Sequence, residues 1–498
     1  MDEFIASVKS DFIPLDAFDE SVSGLYIPSY YWFENTSPEK SWTTFMPSDM
    51  LCSSFYRALQ DFPILAGRFK TDKNSRKYVS VDKNNLNMPV YTDSSWDIDF
   101  KQVKDAGFST RLLPEDFNKA CGIPIVSRLT TKSAKLGIFH VRRLKNYSGV
   151  LVFASIAHAI TDGYGFLMFM NCWAEASRWM QDNPTDTELL QRTFIHDRSI
   201  HNGYRLHGTD ALDAMALESV ASGNAMTRFL SWPSLDKRNY ITKSMLESTS
   251  FTCCSFHMSS QAIKTFREYV QEYAPHGTRY SINDVLVALI TVVIGQAIRK
   301  SNAKKQDTFV SKMTCALFGS KDSTLADTLT SVFVNMRARV NTPSVEDFVG
   351  NLSLSRHIRC PQALVQGENN LENISKISSE IKNAVAATDA KYAGQLNCML
   401  NSESDMPIRQ ACYYYKSNNR LTVSNVSKSG YYKTDFGAGI PFLIRPMLCA
   451  FPGIIMIMPC HPDMDGYDII MNLEMDVANI VSRDKQWMDL VESYHLDI

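Results

Sequence analysis

Several features that direct a chain to a particular compartment or polymer partner are missing from these 498 residues. The eleven cysteines form no C-x-x-C pair, so neither a disulfide framework nor a zinc site is indicated. The 51 basic and 53 acidic residues give a formal charge of −2, which excludes a whole-protein field that attracts nucleic acid or an anionic membrane. We therefore expect reduced thiols, a cytoplasmic location, no nucleic-acid partner and no bound metal.

Signals for export and membrane insertion are also missing. The N-terminus, Met1 to Phe4, carries acids where a secretory signal needs a basic region. The longest apolar stretches, Val285–Ala297 and Leu448–Cys460, are thirteen residues each, and a bilayer span takes roughly twenty. They predict buried helix or strand, and we expect no membrane span.

The composition is that of a large globular protein, with 45% apolar and 21% charged residues. Because domains usually hold roughly 100 to 200 residues, at least two are expected. The stretch from residue 182 to 243 is richer in polar and turn residues than its flanks. We predict an N-terminal domain over residues 1–200, a crossover segment over 201–245 and a C-terminal domain over 246–498. A monomer is the default expectation.

The hydrophobic patterns predict helices and strands that alternate in both halves, which indicates the α/β class. Ser48 is predicted to cap a helix that ends before Pro63, and the apolar run 149–157 predicts a strand covered on both faces. A helix is predicted after Gly163, and the pair Ser281 and Asp284 resembles a capping box that opens another. Further strands are predicted over 308–318, 331–340, 421–426 and 454–458.

The sharpest local pattern is an H-x-x-x-D-G element from His158 to Gly163, in the predicted strand-to-helix connection. A neutral imidazole is a good general base near pH 7 when its ring and tautomer are fixed. If the segment is helical, the spacing of four places Asp162 beside the ring as in a dyad. If it is a turn, Asp162 points away and braces the loop. A buried structural histidine is the plainer alternative.

A second pattern, D-F-G-A-G, runs from Asp435 to Gly439. Protein kinases also carry Asp-Phe-Gly, but this chain has no Gly-rich loop and no His-Arg-Asp segment, and only about sixty residues follow. A glycine-rich structural turn is the favoured interpretation.

The two patterns together resemble those of the BAHD acyl-CoA-dependent acyltransferases, which carry H-x-x-x-D-G and D-F-G-x-G in this order. Other segments are similar to the family's conserved segments, and the resemblance extends over roughly residues 10 to 480. The matching segments are Phe62 to Arg68, Asn283 to Ala288, Asn335 to Arg339 and Gly350-Asn351.

This resemblance implies a two-domain fold of the chloramphenicol-acetyltransferase type with an interdomain channel, and acyl-CoA, possibly acetyl-CoA, as co-substrate. His158 matches the family's catalytic histidine, which takes the proton from the acceptor as it attacks the thioester. Asp162 matches an aspartate that turns away to pair with an arginine, for which Arg337 is the most similar position. Gly163, Asp435 and Gly437 are expected to support the site.

Two departures from the family pattern concern the oxyanion. The segment Ser424 to Val426 aligns with the family's T-S-W, so Ser424 keeps a hydroxyl while Val426 offers no side-chain donor. Ala438 replaces the usual Trp of D-F-G-W-G, as in fungal members. Ser424 is therefore the oxyanion candidate, with backbone N–H groups or water as substitutes.

The substrates stay open at this stage. Arg299 and Lys300 are weak candidates for the phosphates of CoA, since a basic run at a helix end is usually only solvated. The favoured activity is O-acylation of a small alcohol in specialised metabolism, with N-acylation of an amine or polyamine as the alternative. A carrier-dependent condensation enzyme is disfavoured because Ala157 occupies the place of that class's second histidine. A non-catalytic binding protein is the remaining class.

Overall fold

The computed structural model describes the chain over fourteen ranges, and the structural statements below concern these. They are residues 1–22, 25–37, 41, 43–73, 77–114, 117, 134–183, 192–201, 251–305, 327–340, 345–366, 370–401, 420–446 and 453–496. The predicted crossover segment, apart from residue 201, and the predicted strand 308–318 lie outside them.

Fifteen strands form three sheets within these ranges. They are β1 (Asp11–Pro14), β2 (Tyr26–Glu34), β3 (Arg68–Thr71), β4 (Lys77–Val81), β5 (Val90–Trp96), β6 (Gly137–Leu144), β7 (Gly149–Ala157), β8 (Phe251–Met258), β9 (Thr328–Asn335), β10 (Ser353–Cys360), β11 (Arg420–Asn425), β12 (Leu443–Pro446), β13 (Ile454–Pro459), β14 (Tyr467–Glu474) and β15 (Ser493–Leu496). The sheet orders are β1-β4-β3, β12-β2-β7-β6-β5 and β10-β9-β11-β13-β14-β8-β15.

Twelve α-helices accompany the strands in the described ranges. They are α1 (Asp2–Ser7), α2 (Ala17–Ser21), α3 (Ser48–Asp61), α4 (Phe100–Asp105), α5 (Gly163–Asp182), α6 (Ser260–Gln271), α7 (Ile282–Lys305), α8 (Gln362–Gln366), α9 (Leu371–Ala386), α10 (Ala390–Leu400), α11 (Met475–Val481) and α12 (Lys485–Met488). Helices and strands alternate in both halves, so the predicted α/β class is confirmed.

The five-stranded sheet is covered on both faces, which explains the unbroken apolar run of its central strand β7. Val150 and Val152 belong to a core shared with α3 and α5, while Leu151 and Phe153 belong to a second core that contains Trp32 and α4. All nine residues of β7 are buried. The predicted strand 149–157 is confirmed with its bounds.

The seven-stranded sheet packs its two faces against different partners. Val423, Ile455 and Ile469 lie on the face covered by α6, α7 and α9. Met458 and Ile470 lie on the opposite face and join the core of the first sheet. The predicted strands at 421–426 and 454–458 are confirmed within one residue, whereas the one predicted over 331–340 spans Thr328–Asn335.

Strand β12 links the two halves of the chain. It pairs antiparallel with β2, with Leu443 opposite Trp32 and Pro446 opposite Ser29. By sequence β12 belongs to the predicted C-terminal domain, and by pairing it belongs to the first sheet. The two halves therefore share backbone hydrogen bonds as well as an apolar core.

Two helix starts were predicted from capping residues, with different outcomes. Ser281 and Asp284 form a reciprocal capping box at the start of α7, as predicted, with Ser281 N donating to Asp284 Oδ2 at 2.8 Å and Asp284 N to Ser281 Oγ at 3.2 Å. The prediction for Ser48 was wrong, because α3 already begins at Ser48 and its N-cap residue is Pro47, which has no side-chain acceptor.

Helix α7 is longer than its apolar run suggested. By length and composition its segment Ile282–Asn302 would pass for a membrane span, with a mean hydropathy of 1.7. However, 72% of its most apolar window is buried inside the protein, which is typical of the core helix of a globular domain. The estimate of thirteen residues was therefore too short, because helix-forming polar residues extend the run, while its interpretation as a buried helix holds.

Candidate active site

His158 lies directly after the last residue of β7, in the turn that leads into α5. Its backbone N–H donates to the carbonyl of Leu25 at 2.8 Å, which continues the strand pairing by one residue. Its ring Nδ1 lies 3.1 Å from Oδ1 of Asn351. The imidazole is therefore held by a residue from the second half of the chain.

The hydrogen bonds of Asn351 decide which ring nitrogen of His158 carries the proton. Asn351 Nδ2 donates to the carbonyl of His158 and to Oδ1 of Asp19, both at 2.8 Å. Since both partners only accept, the amide nitrogen must face them and the amide oxygen must face the ring. Nδ1 then carries the proton, and Nε2 keeps its lone pair.

The charge state of His158 follows from its surroundings. Burial lowers the pKa of this histidine below its usual value, and the hydrogen bonds around it only partly oppose the effect. The ring is consequently neutral at pH 7 and has an unprotonated Nε2. These are the two properties that a general base requires.

Asp162 adopts the second of the two predicted arrangements. It is the N-cap of α5, where Oδ1 accepts from the N–H of Tyr164 at 3.1 Å and of Gly165 at 3.0 Å. It also forms a buried, bidentate ion pair with Arg337, at 2.8 and 3.1 Å. The segment 158–162 is thus a turn, and the carboxylate braces it instead of forming a dyad with the ring.

Both members of this ion pair form further hydrogen bonds with other groups. Oδ2 of Asp162 also accepts from the N–H of Leu352 and the hydroxyl of Ser353, each at 3.0 Å. Arg337 donates to the carbonyls of Phe348 and Gly350. Burial favours a higher pKa for Asp162, but the guanidinium and the N–H donors outweigh it and hold this pKa below its usual value.

The two motif glycines differ in what the backbone requires of them. A Cβ added to Gly163 would meet nothing within 4 Å, so neither protein packing nor backbone conformation demands a glycine there. Gly437 has a φ of +97°, and a Cβ there would lie 2.2 Å from Oε1 of Gln181. Only the second position requires glycine on steric grounds.

The Asp435 turn is shaped by hydrogen bonds within the turn, and Phe436 attaches it to α5. Oδ1 of Asp435 accepts from the N–H of Gly437 at 2.7 Å and of Gly439 at 3.0 Å. Phe436 is fully buried, its carbonyl accepts from Ser177 Oγ at 2.9 Å, and its ring packs against Trp173. These contacts fit a structural turn.

Ser424 lies on the face of the second sheet that is turned toward the first half of the chain. It is in register with Met456, which packs against the core shared with β7. Because side chains alternate along a strand, Ser424 points away from the helix-covered face that Val423 joins.

The clefts formed by the described residues include two that are lined by charged side chains. The first has a volume of about 730 Å³ and lies between α5, the start of α7, the end of β11 and the loop that follows it. The second, of about 660 Å³, lies between β8, β12, β14 and β15. The charged residues of the first are Arg192, Arg339, Glu346, Asp347, Lys428 and Lys433; those of the second are Glu34, Arg445, Asp463 and Asp468, beside three histidines.

The predicted phosphate ligands Arg299 and Lys300 line neither cleft. They are twelve or more residues along α7 from Val287, which lines the first cleft, so a distance of at least roughly 18 Å separates them from it at 1.5 Å per residue. Within the described part of the chain, no group of three or more His, Cys, Asp or Glu side chains could hold a metal ion.

Residues that surround His158 were missed by the sequence reasoning. Asn351 was noted only as part of the Gly350-Asn351 segment, and Asp19 and Arg198 were not noted at all. Asp19 and Asn351 are 332 positions apart in the sequence, and no local pattern marks a charged side chain that will be buried. The D-x-x-D spacing of Asp16 and Asp19 is a capping signal, but it reveals nothing about Asn351.

Comparison with known proteins places this geometry in a family. The model of the Transferase family matches residues 6–486. The chain belongs to this family. The BAHD-type resemblance is thereby confirmed, and the chain is a transferase by family.

Individual relatives agree with this assignment, although they are distant. Diaboline synthase from Strychnos sp is 25% identical over 156 residues, which are 30% of this chain and 32% of that protein. The matched stretch thus spans about a third of this curated relative. Two solved structures, each 14% identical, share the fold. The complex of F. graminearum TRI101 with ethyl coenzyme A has a TM-score of 0.68 and covers 98% of this chain and 100% of its own. Vinorine synthase has a TM-score of 0.59 and covers 98% of each chain. The predicted BAHD-type α/β fold is confirmed.

Proposed function

We propose that this member of the Transferase family moves an acyl group from acyl-CoA, acetyl-CoA being one candidate donor, to a hydroxyl of a small-molecule acceptor, with His158 as the general base. The observation that carries the proposal is the 3.1 Å contact of His158 Nδ1 with the amide oxygen of Asn351, whose amide nitrogen is held by two acceptors. From this contact we infer that the ring proton is on Nδ1 and that Nε2 is unprotonated. TRI101, which shares the fold, has been solved in complex with ethyl coenzyme A. That complex supports the choice of donor.

The reaction then needs no covalent enzyme intermediate. Nε2 of His158 takes the acceptor's hydroxyl proton while the hydroxyl oxygen attacks the thioester carbonyl carbon. The tetrahedral intermediate collapses by breaking the C–S bond, and the imidazolium returns the proton to the sulfur. The products are an ester and free CoA thiol, so base, proximity and oxyanion stabilisation suffice.

Four of the other predicted residues support this step at a distance from the reacting atoms, whereas Ser424 would contact the oxyanion. Asp162 and Arg337 hold the turn that carries His158, and Asp435 with Gly437 shapes the turn docked on α5. Ser424 is the side-chain candidate for an oxyanion donor, because it faces the first half of the chain. Val426 contributes its backbone N–H to Ile457 at 2.9 Å, so that N–H is already used.

The first cleft suits the phosphates of acyl-CoA better than the second does. It is lined by four cationic and two anionic side chains, whereas the second has one arginine and three carboxylates. Lys428 and Lys433 lie in the loop after β11, whose end carries Ser424 and Asn425. We expect Lys428→Ala with Lys433→Ala to raise KM for acyl-CoA severalfold with kcat little changed, whereas Arg299→Ala leaves KM unchanged.

The second cleft is not acidic enough to make an amine the favoured acceptor in place of a hydroxyl compound. Its acidic character is reduced because Asp468 is paired with Arg445 at 2.8 Å and with His257 at 2.8 Å. N-acylation remains the alternative, since the same base serves both acceptors. A carrier-dependent condensation enzyme stays disfavoured, because an alanine, Ala157, occupies the position of that class's second histidine.

The test is acceptor-dependent release of free thiol by the purified full chain from a panel of acyl-CoAs, with pooled alcohols and amines and mass identification of the product. We expect His158→Ala to lower kcat at least 100-fold. His276→Ala, at an exposed histidine, serves as the control and keeps full activity. Thiol release that survives in His158→Ala would overturn the assignment of the base, and an amide product would select the alternative.

A further inference from the structure

Behind Asn351 lies a buried ion pair that belongs to no motif of the sequence. Asp19 is fully buried and Arg198 is 4% exposed. Arg198 Nε donates to Asp19 Oδ2 at 3.0 Å, while its Nη2 donates to the carbonyl of Ile160 at 2.7 Å. Ile160 is part of the turn that follows His158, so the pair contacts both the partner of the ring and the loop that carries it.

Asp19 and the carbonyl of His158 together set the direction of the hydrogen bonds of Asn351. A carboxylate only accepts, so Asp19 Oδ1 obliges Asn351 to present its amide nitrogen. The amide oxygen of Asn351 is thereby left for Nδ1 of His158. Arg198 compensates the charge of the buried carboxylate through this ion pair.

We propose that Asp19 and Arg198 are positioning residues for the transfer reaction, which select the reactive tautomer of His158 through the amide of Asn351. This inference rests on the proposed role of His158 as the base. Neither residue touches the substrate or the reacting atoms. Their effect is on which ring nitrogen holds the proton and on the orientation of the ring.

Replacing the carboxylate by an amide isolates this effect. In Asp19→Asn the side chain keeps its size but presents an NH₂ group that can face Asn351. Only the carbonyl of His158 then holds the Asn351 amide in its wild-type orientation, and an amide that turns over presents its NH₂ to Nδ1 of His158. A donor at Nδ1 favours the tautomer with the proton on Nε2, in which the nitrogen needed for proton transfer is blocked.

The direct readout is the ¹⁵N shift of the His158 ring in the full-length protein, assigned by comparison with His158→Ala. We expect the wild type to show Nδ1–H with an unprotonated Nε2, and Asp19→Asn to show a clearly raised population of the opposite tautomer. In the thiol-release assay, we expect Asp19→Asn to lower kcat 10- to 100-fold, with KM for acyl-CoA changed less than threefold, as is typical when the partner of a functional histidine is lost.

Asp16→Asn is the matched control on the same helix. Asp16 caps α2 and accepts from the N–H of Asp19 at 2.9 Å, and asparagine is an equally good capping residue. We expect both its tautomer and its kcat to match the wild type. Arg198→Lys keeps the charge but loses the fork that reaches Ile160, and we expect an intermediate loss of kcat.

The possible results test the proposed role of Asp19 and Arg198 separately from the proposed acyl transfer. If Asp19→Asn retains the Nδ1–H tautomer, the proposal is wrong, whether or not activity falls. If Asp19→Asn does not fold, the wild-type spectrum still decides, since an Nε2–H ring or a mixture of tautomers there overturns the proposal. If the tautomer switches but the wild type transfers no acyl group to any acceptor, the proposed function fails, while the role of Asp19 and Arg198 in selecting the tautomer stands.

Discussion

The ion pair of Asp162 with Arg337 provides the sharpest test of how the site is held. Asp162→Asn keeps the volume of the side chain and one oxygen for the N-cap of α5, but it removes the negative charge. The buried guanidinium of Arg337 then faces a neutral amide whose NH₂ group competes with its own donors. The variant thus changes charge and donor pattern while leaving the packing in place.

The expected loss of stability is large because the carboxylate of Asp162 is buried and accepts six hydrogen bonds. Asp162 accepts two bonds from Arg337, two from the N-terminal N–H groups of α5, one from Leu352 N–H and one from Ser353 Oγ. Breaking a buried ion pair by neutralising one partner costs about 3 to 5 kcal/mol, because an uncompensated charge stays behind. We expect a loss of about that size in the free energy of unfolding.

The assay is urea unfolding at pH 7, followed by tryptophan fluorescence and by circular dichroism, with thiol release measured on the same samples. Lys376→Ala is the control, since it removes an exposed ion pair with Glu372 and should cost less than about 0.5 kcal/mol. We also expect Asp162→Asn to lower kcat, because the turn that carries His158 loses its brace. A variant within about 1 kcal/mol of the wild type with full activity would refute the reasoning.

Two further predictions concern buried histidines and the glycines at the start of α5. Burial lowers the pKa of His196 to about 4 and that of His357 to about 3, so the unfolded chain binds their protons first as the pH falls below about 6.5, and each costs roughly 2 kcal/mol of stability at pH 5. Urea midpoints from pH 7 to pH 5 should therefore fall, and an equally steep fall in His357→Gln would contradict this account. A Cβ at Gly165 would lie 2.1 Å from Thr161 Oγ1, so Gly165→Ala should lose about 1 to 3 kcal/mol in thermal unfolding. Gly163→Ala, with nothing within 4 Å, should be as stable as the wild type or slightly more so, and an equal loss in both variants would show that packing is not the cause.

Much of the fold could be predicted because its decisive signals are local. The run 149–157 has no polar alternation, which is typical of a strand buried on both faces, and the structure shows a core on each side of β7. The capping box at the start of α7 could be recognised in the sequence because the two residues that form it are three positions apart. The pairing of the four-residue strand β12 with β2 was not predictable, since the partners are about 410 residues apart and short apolar segments do not reveal their neighbours.

The site divides in the same way. His158, Asp162 and Arg337 were found through motif resemblance, and the structure brings Asp162 and Arg337 into contact. The choice between dyad and brace depended on whether residues 158–162 form a helix or a turn, and no periodicity can decide that over five residues. Asn351 and Asp19 act through hydrogen-bond direction, which depends on tertiary contacts and leaves no pattern in composition or spacing.

The turn that carries His158 is held at three points by side chains from elsewhere in the chain. Asn351 binds the carbonyl of His158, Arg198 binds that of Ile160, and Arg337 binds the carboxylate of Asp162. Buried charges of this kind add little net stability compared with apolar residues of the same volume, so core stability alone does not account for two ion pairs around five residues. They do fix the backbone on both sides of a ring that must present one nitrogen in one direction. Because Asn351 and Arg337 come from the second half of the chain and His158 from the first, the ring of His158, the proposed base, is held in this orientation only when the two halves are packed together.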